Sequence, residues 1–446
     1  MAPFPRVAIA FFVAGSSLLL PAPVGRKESV VQTFVVRANV HGWQGPACWA
    51  EKGEPLTVKP RGTWKIGRGN VPSIGPSGYE KKLGNFNYGA LVMQIGCHTD
   101  DLSKKPNARR PPVVVERHSV GGVVTVVPKY GGVVYFYVND RTPADNAGTI
   151  DVAIEGGRLA PVVGYHSPLL GAQWPGSLDS LDAPWGEFQG DYIVLTLPTE
   201  EMRKVKDPVK LMKWWDQLYL HYCELDGRRP SQEKTRFVPD VDISVGGMHA
   251  GNPIMYTMSR IPELIDMDNP KFPGWGFLHE LGHNFQRSIY DFEGMREVTC
   301  NLFTLYGLRM MGLEEATWRG RRTGGLAKKL AYLAGGVKFE DWQKDPLLGL
   351  YMFIELADEF GWGFYKTVFR AYSSVSKDMV PRNNDEKRDL FLTITSRSAG
   401  RDLSPFLDEW GILVSARARA AVSSLPLWNG PEKRKENQAH SKEAVE

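Results

Sequence analysis

Past the middle of the chain, the stretch GWGFLHELGHNFQ (274–286) sets two histidines four residues apart, with a glutamate directly after the first. On a helix at about 100° per residue, Leu278, Leu281, Phe285 and Ile289 form one apolar stripe, which predicts a helix over 275–290. His279 and His283 fall on the adjoining face one turn apart, so both imidazoles can reach a common point. A zinc ion (Zn2+) needs this: neutral nitrogen ligands that converge while one corner stays open for water. Glu280 points roughly 100° around from His279, toward such a water rather than the metal. A carboxylate there takes the water's proton as it attacks a carbonyl, while zinc lowers the water's pKa and polarises the substrate. The competing reading is an ordinary helix that contains two imidazoles, and a third ligand would weigh against it.

Downstream, SIYDFEGMREVTCNLFTLYGLRMM offers Glu293 and Glu297. Glu293 adjoins Gly294 in what reads as a turn. Glu297 opens an apolar helix containing Val298, Leu302, Phe303, Leu305, Tyr306 and Leu308. A carboxylate on the first turn of a buried helix needs a partner, and a metal is one. A place in the helix dipole is the other reason for a glutamate there. Asn301, one turn later on the same face, is a candidate to orient a ligand, or else serves packing or a cap.

These residues need a scaffold, and 446 residues imply two or three domains. From 30 to 157, short β-rich runs (QTFVVRANV, EPLTVKP, GALVMQIG, GGVVTVVP, GGVVYFYVND, GTIDVAIEGG) are separated by Gly, Pro and Asn at sandwich spacing. A Gly- and Pro-rich stretch over 158–187 reads as a connection. A second domain then spans 188–428. DYIVLTLP is a strand, a helix enters at Thr199 and carries Leu211, Trp214, Trp215, Leu218 and Tyr222, and RFVPDVDISVGGMHAGNPIMY reads as strand, turn and strand. Beyond 295 the chain is mostly helical, and 429–446 has the composition of a disordered tail. The fold class expected is α+β and multidomain, a β-sandwich followed by a domain with a helical C-terminal part.

The N-terminus, MAPFPRVAIAFFVAGSSLLLPAPVGRKES, has one arginine before a short apolar run and then small residues and prolines. This is the layout of a signal peptide over 1–25, and it predicts secretion. No later segment approaches a spanning length, so no stable membrane span is expected. A net charge of +4 without a basic, aromatic-interleaved stripe gives no sign of nucleic acid as a partner. Of the four cysteines, Cys48 and Cys97 fall in the same β-rich region, and sequence leaves their pairing open.

PGWGFLHELGHNFQ followed by REVTCNLFTLY resembles the enhancin-like, mucin-degrading zinc metallopeptidases, the M-60-like family of gluzincin type, which also includes the TRP channel-associated factors. Their motif is His-Glu-x-x-His, a variable gap and Glu. Thirteen residues separate His283 from Glu297 here, which selects Glu297 over Glu293. DYIVLTLPTEEMRKVKDPVKLMKWWDQL, VPDVDISVGGMHAGNPIM and LYMFIELADEFGWGFYKTVFRAY extend the likeness, as do the later DEKRDLFLTITSRSAGRDLSPFLDEWGI and LPLW, so that it covers about 160–428. The resemblance implies a secreted zinc endopeptidase acting on glycoproteins, mucins especially, with His279, His283 and Glu297 as zinc ligands and Glu280 as general base. His249 and Tyr256, just before the active helix, are candidates to stabilise the oxyanion, and Tyr290 and Tyr306 stand behind them.

YGALVMQIG and NDRTPADNAGTIDVAIEGG resemble the sandwich of calcium-dependent, galactose-binding bacterial lectins. That likeness implies a glycan ligand and Ca2+ held by Asp140, Thr142, Asp145 and Asn146. The loop is about two residues short for it, and Asp, Asn and Gly are also ordinary turn residues. Trp43, Trp49 and Trp64 could stack sugar rings or fill the core. The alternative function is a non-catalytic channel- or glycan-binding interaction protein, against which the intact His279, Glu280, His283 and Glu297 stand.

Overall fold

The computed structural model describes residues 31–96, 116–240, 243, 246–428 and 430. The signal-like segment, Cys97 and all of the tail but Gly430 lie outside these, so Cys48 is described, buried in the sandwich core, without its candidate partner.

Eight principal strands make the N-terminal sandwich: β1 (Val31–Arg37), β2 (Gln44–Ala50), β3 (Leu56–Lys65), β4 (Leu91–Ile95), β5 (Glu116–Ser119), β6 (Val124–Val126), β7 (Gly132–Val138) and β8 (Ala147–Glu155). One sheet runs β1-β8-β3-β6 and the other β2-β7-β4-β5, each with antiparallel neighbours. In β8 the alternation of a half-buried strand is plain: Ile150, Val152 and Ile154 are buried, while Thr149 and Asp151 are exposed. In β7 the run VVYFYV lacks that alternation because both faces are covered. Val134 and Phe136 face the sandwich core, while Val133 and Tyr135 pack with Ala183 and Trp185 beyond it. β2 was not among the expected strands, since QGPACWA carries Gly and Pro and its register shifts between Gln44 and Cys48.

The second domain is built on a six-stranded mixed sheet of β9 (Val162–Gly164), β10 (Trp185–Gln189), β11 (Ile193–Pro198), β12 (Thr235–Asp240), β13 (Met248–His249) and β14 (Ile254–Thr257), in the order β9-β10-β11-β12-β14-β13. The segment 158–187, read from sequence as a connection, is therefore part of this domain: β9 lies within it and pairs in parallel with β10. A three-residue strand among Gly and Pro carries too little alternation to be seen. The helices that matter for the site are α1 (Pro208–Asp226), α2 (Trp275–His283), α3 (Arg296–Met310) and α4 (Pro346–Ser373). The helix expected from Thr199 is a four-residue turn, Thr199–Met202, and α1 starts afresh at Pro208, where the Asp207 side chain accepts from Lys210 N. Among the described residues no helix is long and apolar enough to cross a membrane.

Two helices meet under the motif at one glycine. A Cβ on Gly282 would lie 2.4 Å from the Cys300 carbonyl oxygen, so only glycine lets α2 rest against α3 at this point. α2 also ends sooner than its apolar stripe suggested, at His283 rather than 290. The Asn284 side chain leaves the helix to accept from Gly251 N (3.0 Å) and donate to Gly251 O (2.8 Å), and the chain turns away.

One buried ion pair ties the two domains. Glu187 on β10 is fully buried and accepts from Tyr135 Oη of the sandwich (2.6 Å), Thr196 Oγ1 (2.9 Å), Gln189 Nε2 (2.7 Å) and the Arg236 guanidinium. Arg236 in turn stacks its guanidinium 4.7 Å from the Tyr135 ring centre. Removing one partner strands the other charge, so Arg236→Ala is expected to cost about 3–5 kcal/mol of stability. Chemical denaturation followed by tryptophan fluorescence checks this, and a loss under about 1 kcal/mol would show the carboxylate to be solvated.

Candidate metal centre

α2 carries His279 and His283, and the first two turns of α3 carry Glu297, Cys300 and Asn301. Their packing brings His279 Nε2 to 3.1 Å from His283 Nε2, and Glu297 Oε2 to 3.1 Å from the first and 3.5 Å from the second. Ligand atoms about 2.0–2.1 Å from one tetrahedral ion lie ~3.3 Å from each other, the separation found here.

Hydrogen bonding fixes which nitrogens face one another. Asn301 Nδ2 donates to the Glu297 carbonyl (2.7 Å), and its Oδ1 accepts from Trp275 Nε1 (3.0 Å), an indole N–H that can only donate. The same Oδ1 lies 2.8 Å from His279 Nδ1, which must therefore carry the proton. Gln286 repeats the arrangement for the other ring. Its Nε2 donates to the Arg296 carbonyl (2.6 Å) and to Thr299 Oγ1, leaving Oε1 to accept from His283 Nδ1 at 2.7 Å. Both Nε2 lone pairs and a carboxylate oxygen then converge with no donor between them. A cation satisfies that donor set, and zinc fits its chemistry. Neutral amides hold the rings where carboxylates are also common, so less negative charge would surround a bound cation.

Glu297 Oε2 and the two imidazoles polarise each other in the metal-free chain. The imidazoles hold the Glu297 carboxyl far below the ordinary range. Burial pulls both histidines down, but contacts with Cys300 and Glu297 outweigh it and push His279 up to about 11 and His283 up to about 10. Protons and a metal therefore compete for the two Nε2 atoms, so affinity falls as pH falls, and loading near neutral pH releases protons.

Cys300 was not singled out in the sequence, although its Sγ belongs to a group of four ligand atoms lying within 4.8 Å of one another. It sits 3.6 Å from His279 Nδ1 and 3.9 Å from Nε2, beside the ring rather than in front of the nitrogen that faces His283 and Glu297. It is buried, one turn after Glu297, and its carbonyl carries the contact with Gly282. The only sequence signal for Gln286 was its i+3 spacing from His283, which the longer predicted helix obscured. Glu280 is part-exposed on the opposite side of α2 from that contact. Glu293, the other downstream carboxylate, pairs with Arg388 Nη1 at 2.8 Å.

The oxyanion candidates separate. Tyr256 is corrected to a core residue: it is fully buried, packs edge-on against Phe277 at 4.9 Å, and its hydroxyl has no hydrogen bond. The Tyr290 and Tyr306 hydroxyls are spent on the Phe285 carbonyl and on Glu224. His249 remains part-buried on β13, whose Met248 packs against α2 at Gly276. In the sandwich, Asp140, Thr142, Asp145 and Asn146 form a turn rather than a Ca2+ cage. Asp140 Oδ1 accepts from Thr142 N (3.1 Å), and Asn146 turns its amide nitrogen, not its oxygen, to Asp140 Oδ2 (3.0 Å). Asn146 Oδ1 is taken by Gly67 N (2.7 Å), and Asp145 faces Arg68 at 3.7 Å. Trp49 and Trp64 are buried in the domain, and Trp43 alone of the three stays partly open.

A sandwich in front of a mixed sheet, with a His-Glu-x-x-His helix and a downstream glutamate, defines a metallopeptidase fold. The family described as peptidase M60, enhancin and enhancin-like matches residues 168–411, and the N-terminal domain of M60-like peptidases matches 82–153. The chain belongs to this M60 family. It is 32% identical over 348 residues to TRPM8 channel-associated factor 2 of Bos taurus, covering 76% of this chain and 37% of that protein. The chain thus spans little more than a third of such relatives. Among solved structures, a conserved protein of unknown function from Bacillus anthracis superposes with a TM-score of 0.66 at 20% identity, over 90% of this chain and 80% of that one. IMPa of Pseudomonas aeruginosa in complex with an O-glycopeptide gives 0.59 at 16%, over 90% and 52%.

Gln286→Ala is expected to weaken metal binding about 10–100-fold, measured by chelator competition, with the fold kept. Cobalt-loaded protein should show no thiolate-to-metal charge-transfer absorption, and Cys300→Ser should bind one equivalent of metal as before. A thiolate band would make Cys300 a fourth protein ligand and close the open corner.

Proposed function

We propose that the chain is a secreted zinc endopeptidase that hydrolyses peptide bonds in glycoproteins, mucins among them. The observation that carries this reading is the convergence of His279 Nε2, His283 Nε2 and Glu297 Oε2, with both outer ring nitrogens held by amide oxygens. A bound zinc ion supplies Lewis acidity toward a carbonyl oxygen and toward water. His279, His283 and Glu297 hold it, while Asn301 and Gln286 keep the two rings aimed. Glu280, the neighbour of His279, accepts the proton of the attacking water and delivers it to the leaving amine. His249, on the edge strand beside α2, is the candidate of the sequence reading that we assign to stabilise the developing oxyanion. The signal-like N-terminus supports an extracellular location. The glycoprotein substrate is supported by the O-glycopeptide bound to the structurally similar IMPa.

A second reading, a non-catalytic interaction protein, is favoured by the curated relatives, which are named as channel-associated factors. Glu280→Ala separates the two. It should retain one equivalent of zinc and lose about 10²–10⁴-fold in turnover on an O-glycosylated peptide, while His279→Ala loses the metal itself. Wild-type protein that carries zinc yet leaves glycosylated and bare peptides intact would support the non-catalytic reading.

A further inference from the structure

Between the sandwich and the six-stranded sheet lies a cavity of about 710 Å³ that takes no part in the metal centre. Its volume is in the range of small-molecule sites, about 300–1,000 Å³. The loop from Ala38 to Trp43, which joins β1 to β2, forms one wall together with Gln44, Gly45 and Pro46 of β2 and presents His41 and Trp43. This loop is held at both ends and from across the junction. Arg37 N donates to Gln44 Oε1 (2.9 Å), and Gln44 Nε2 donates to Arg37 O (2.8 Å), closing its base. Gln189 Nε2 of the second domain donates to Gly45 O (2.7 Å). At Gly42, with φ of +72°, a Cβ would meet Glu233 Oε1 at 2.9 Å, so loop and second domain are in close contact there.

The groups facing the space have a definite chemistry. Trp43, tilted against Tyr135 with ring centres 5.5 Å apart, is the one half-open indole of the sandwich. Among the described residues, neither the Arg37 guanidinium nor the His41 imidazole makes a hydrogen bond or ion pair. Arg37, Lys234 and Arg236 line the cavity beside the Glu233 carboxylate. Glu187 neutralises Arg236 from behind, and Lys234 donates to the Gly190 carbonyl (2.7 Å) with Asp216 and Asp191 acting on it. This leaves Arg37 as the lining cation without an acidic partner among the described residues. An indole face suits the C–H face of a sugar ring, and a free guanidinium suits a carboxylate. A flat apolar ligand would leave that cation unmet, and a simple anion would leave the indole unused.

We propose that this junction cavity binds a carboxylated saccharide, its ring on Trp43 and its carboxylate on Arg37, with His41 beside it. Binding here is independent of hydrolysis at the metal. The cavity nevertheless borders the hairpin of β13 and β14: Asn252 and Pro253 line it, and the preceding Gly251 is held by Asn284 at the end of α2. A glycosylated chain held here would raise the local concentration of its peptide near α2.

The test titrates the full chain with N-acetylneuraminic acid, glucuronic acid and neutral galactose, following tryptophan fluorescence and calorimetry. The acidic sugars should bind saturably and at least tenfold more tightly than galactose. Arg37→Ala, at an exposed side chain, should remove that preference, and Trp43→Phe should weaken binding of all three. His279→Ala, which empties the metal centre, should leave the affinities unchanged, so failure of the peptidase reading would not be mistaken for failure here. Equal affinity for acidic and neutral sugars, no saturable binding by any of them, or equally tight binding of an oligoglutamate peptide would overturn the proposal. So would binding lost in His279→Ala but kept in Arg37→Ala.

Discussion

The site depends on how closely two helices can approach. α2 and α3 touch where Gly282 faces the Cys300 carbonyl, and any side chain at 282 would have to displace backbone. That contact sets the height at which Glu297, one turn earlier on α3, meets the imidazoles of His279 and His283. It also puts Asn301 under His279. Because Trp275 and the Glu297 carbonyl fix the Asn301 amide, the ring above it has only one proton arrangement. A shift of about an ångström, which a Cβ at Gly282 would force on α2 against α3, therefore decides whether three ligands share a centre.

α3 supplies the opposing set because its own surroundings are fixed. Gly307 lies against Leu218 and Tyr222 of α1, and Gly349 of α4 gives room to Val298, so the helix is wedged between neighbours rather than resting on one. The Tyr222 hydroxyl donates to the Leu278 carbonyl (3.0 Å), which links α1 to the middle of the histidine helix. Exposed carboxylates such as Glu297, half open to solvent, gain precision from this buried frame rather than from their own contacts.

Much of this was legible in the sequence, for reasons that differ by residue. The spacing of His279 and His283 carries their common face directly, since helical geometry needs no distant partner to specify it. Choosing Glu297 over Glu293 rested on family resemblance. The physical reason, that Glu293 is engaged by Arg388 some ninety-five residues away, is a tertiary fact. Gln286 and Cys300 escaped notice because an apolar stripe reaching Ile289 hid the turn at Asn284, and a small buried thiol carries no periodic signal. Tyr256 failed in the opposite way. It lies close to the motif in sequence, yet strand alternation turns it inward against Phe277.

The sandwich shows the same division. Most of its strands were visible as short β-rich runs, though β2 and β5 were not; VVYFYV does not alternate because the outer face of β7 meets a second domain. Tyr135 reaches out of that face to Glu187, and Glu187 in turn is held from β11 and β12. β12 leads through the β13–β14 hairpin to the Gly251–Asn284 clamp at the end of the histidine helix. A chain of contacts, buried at Glu187 and part-buried at Asn284, thus runs from the outer face of β7 to the turn after His283. The sandwich is therefore joined to the second domain through the outer face of β7, where Val133 and Tyr135 pack with Ala183 and Trp185, while each domain keeps its own hydrophobic core.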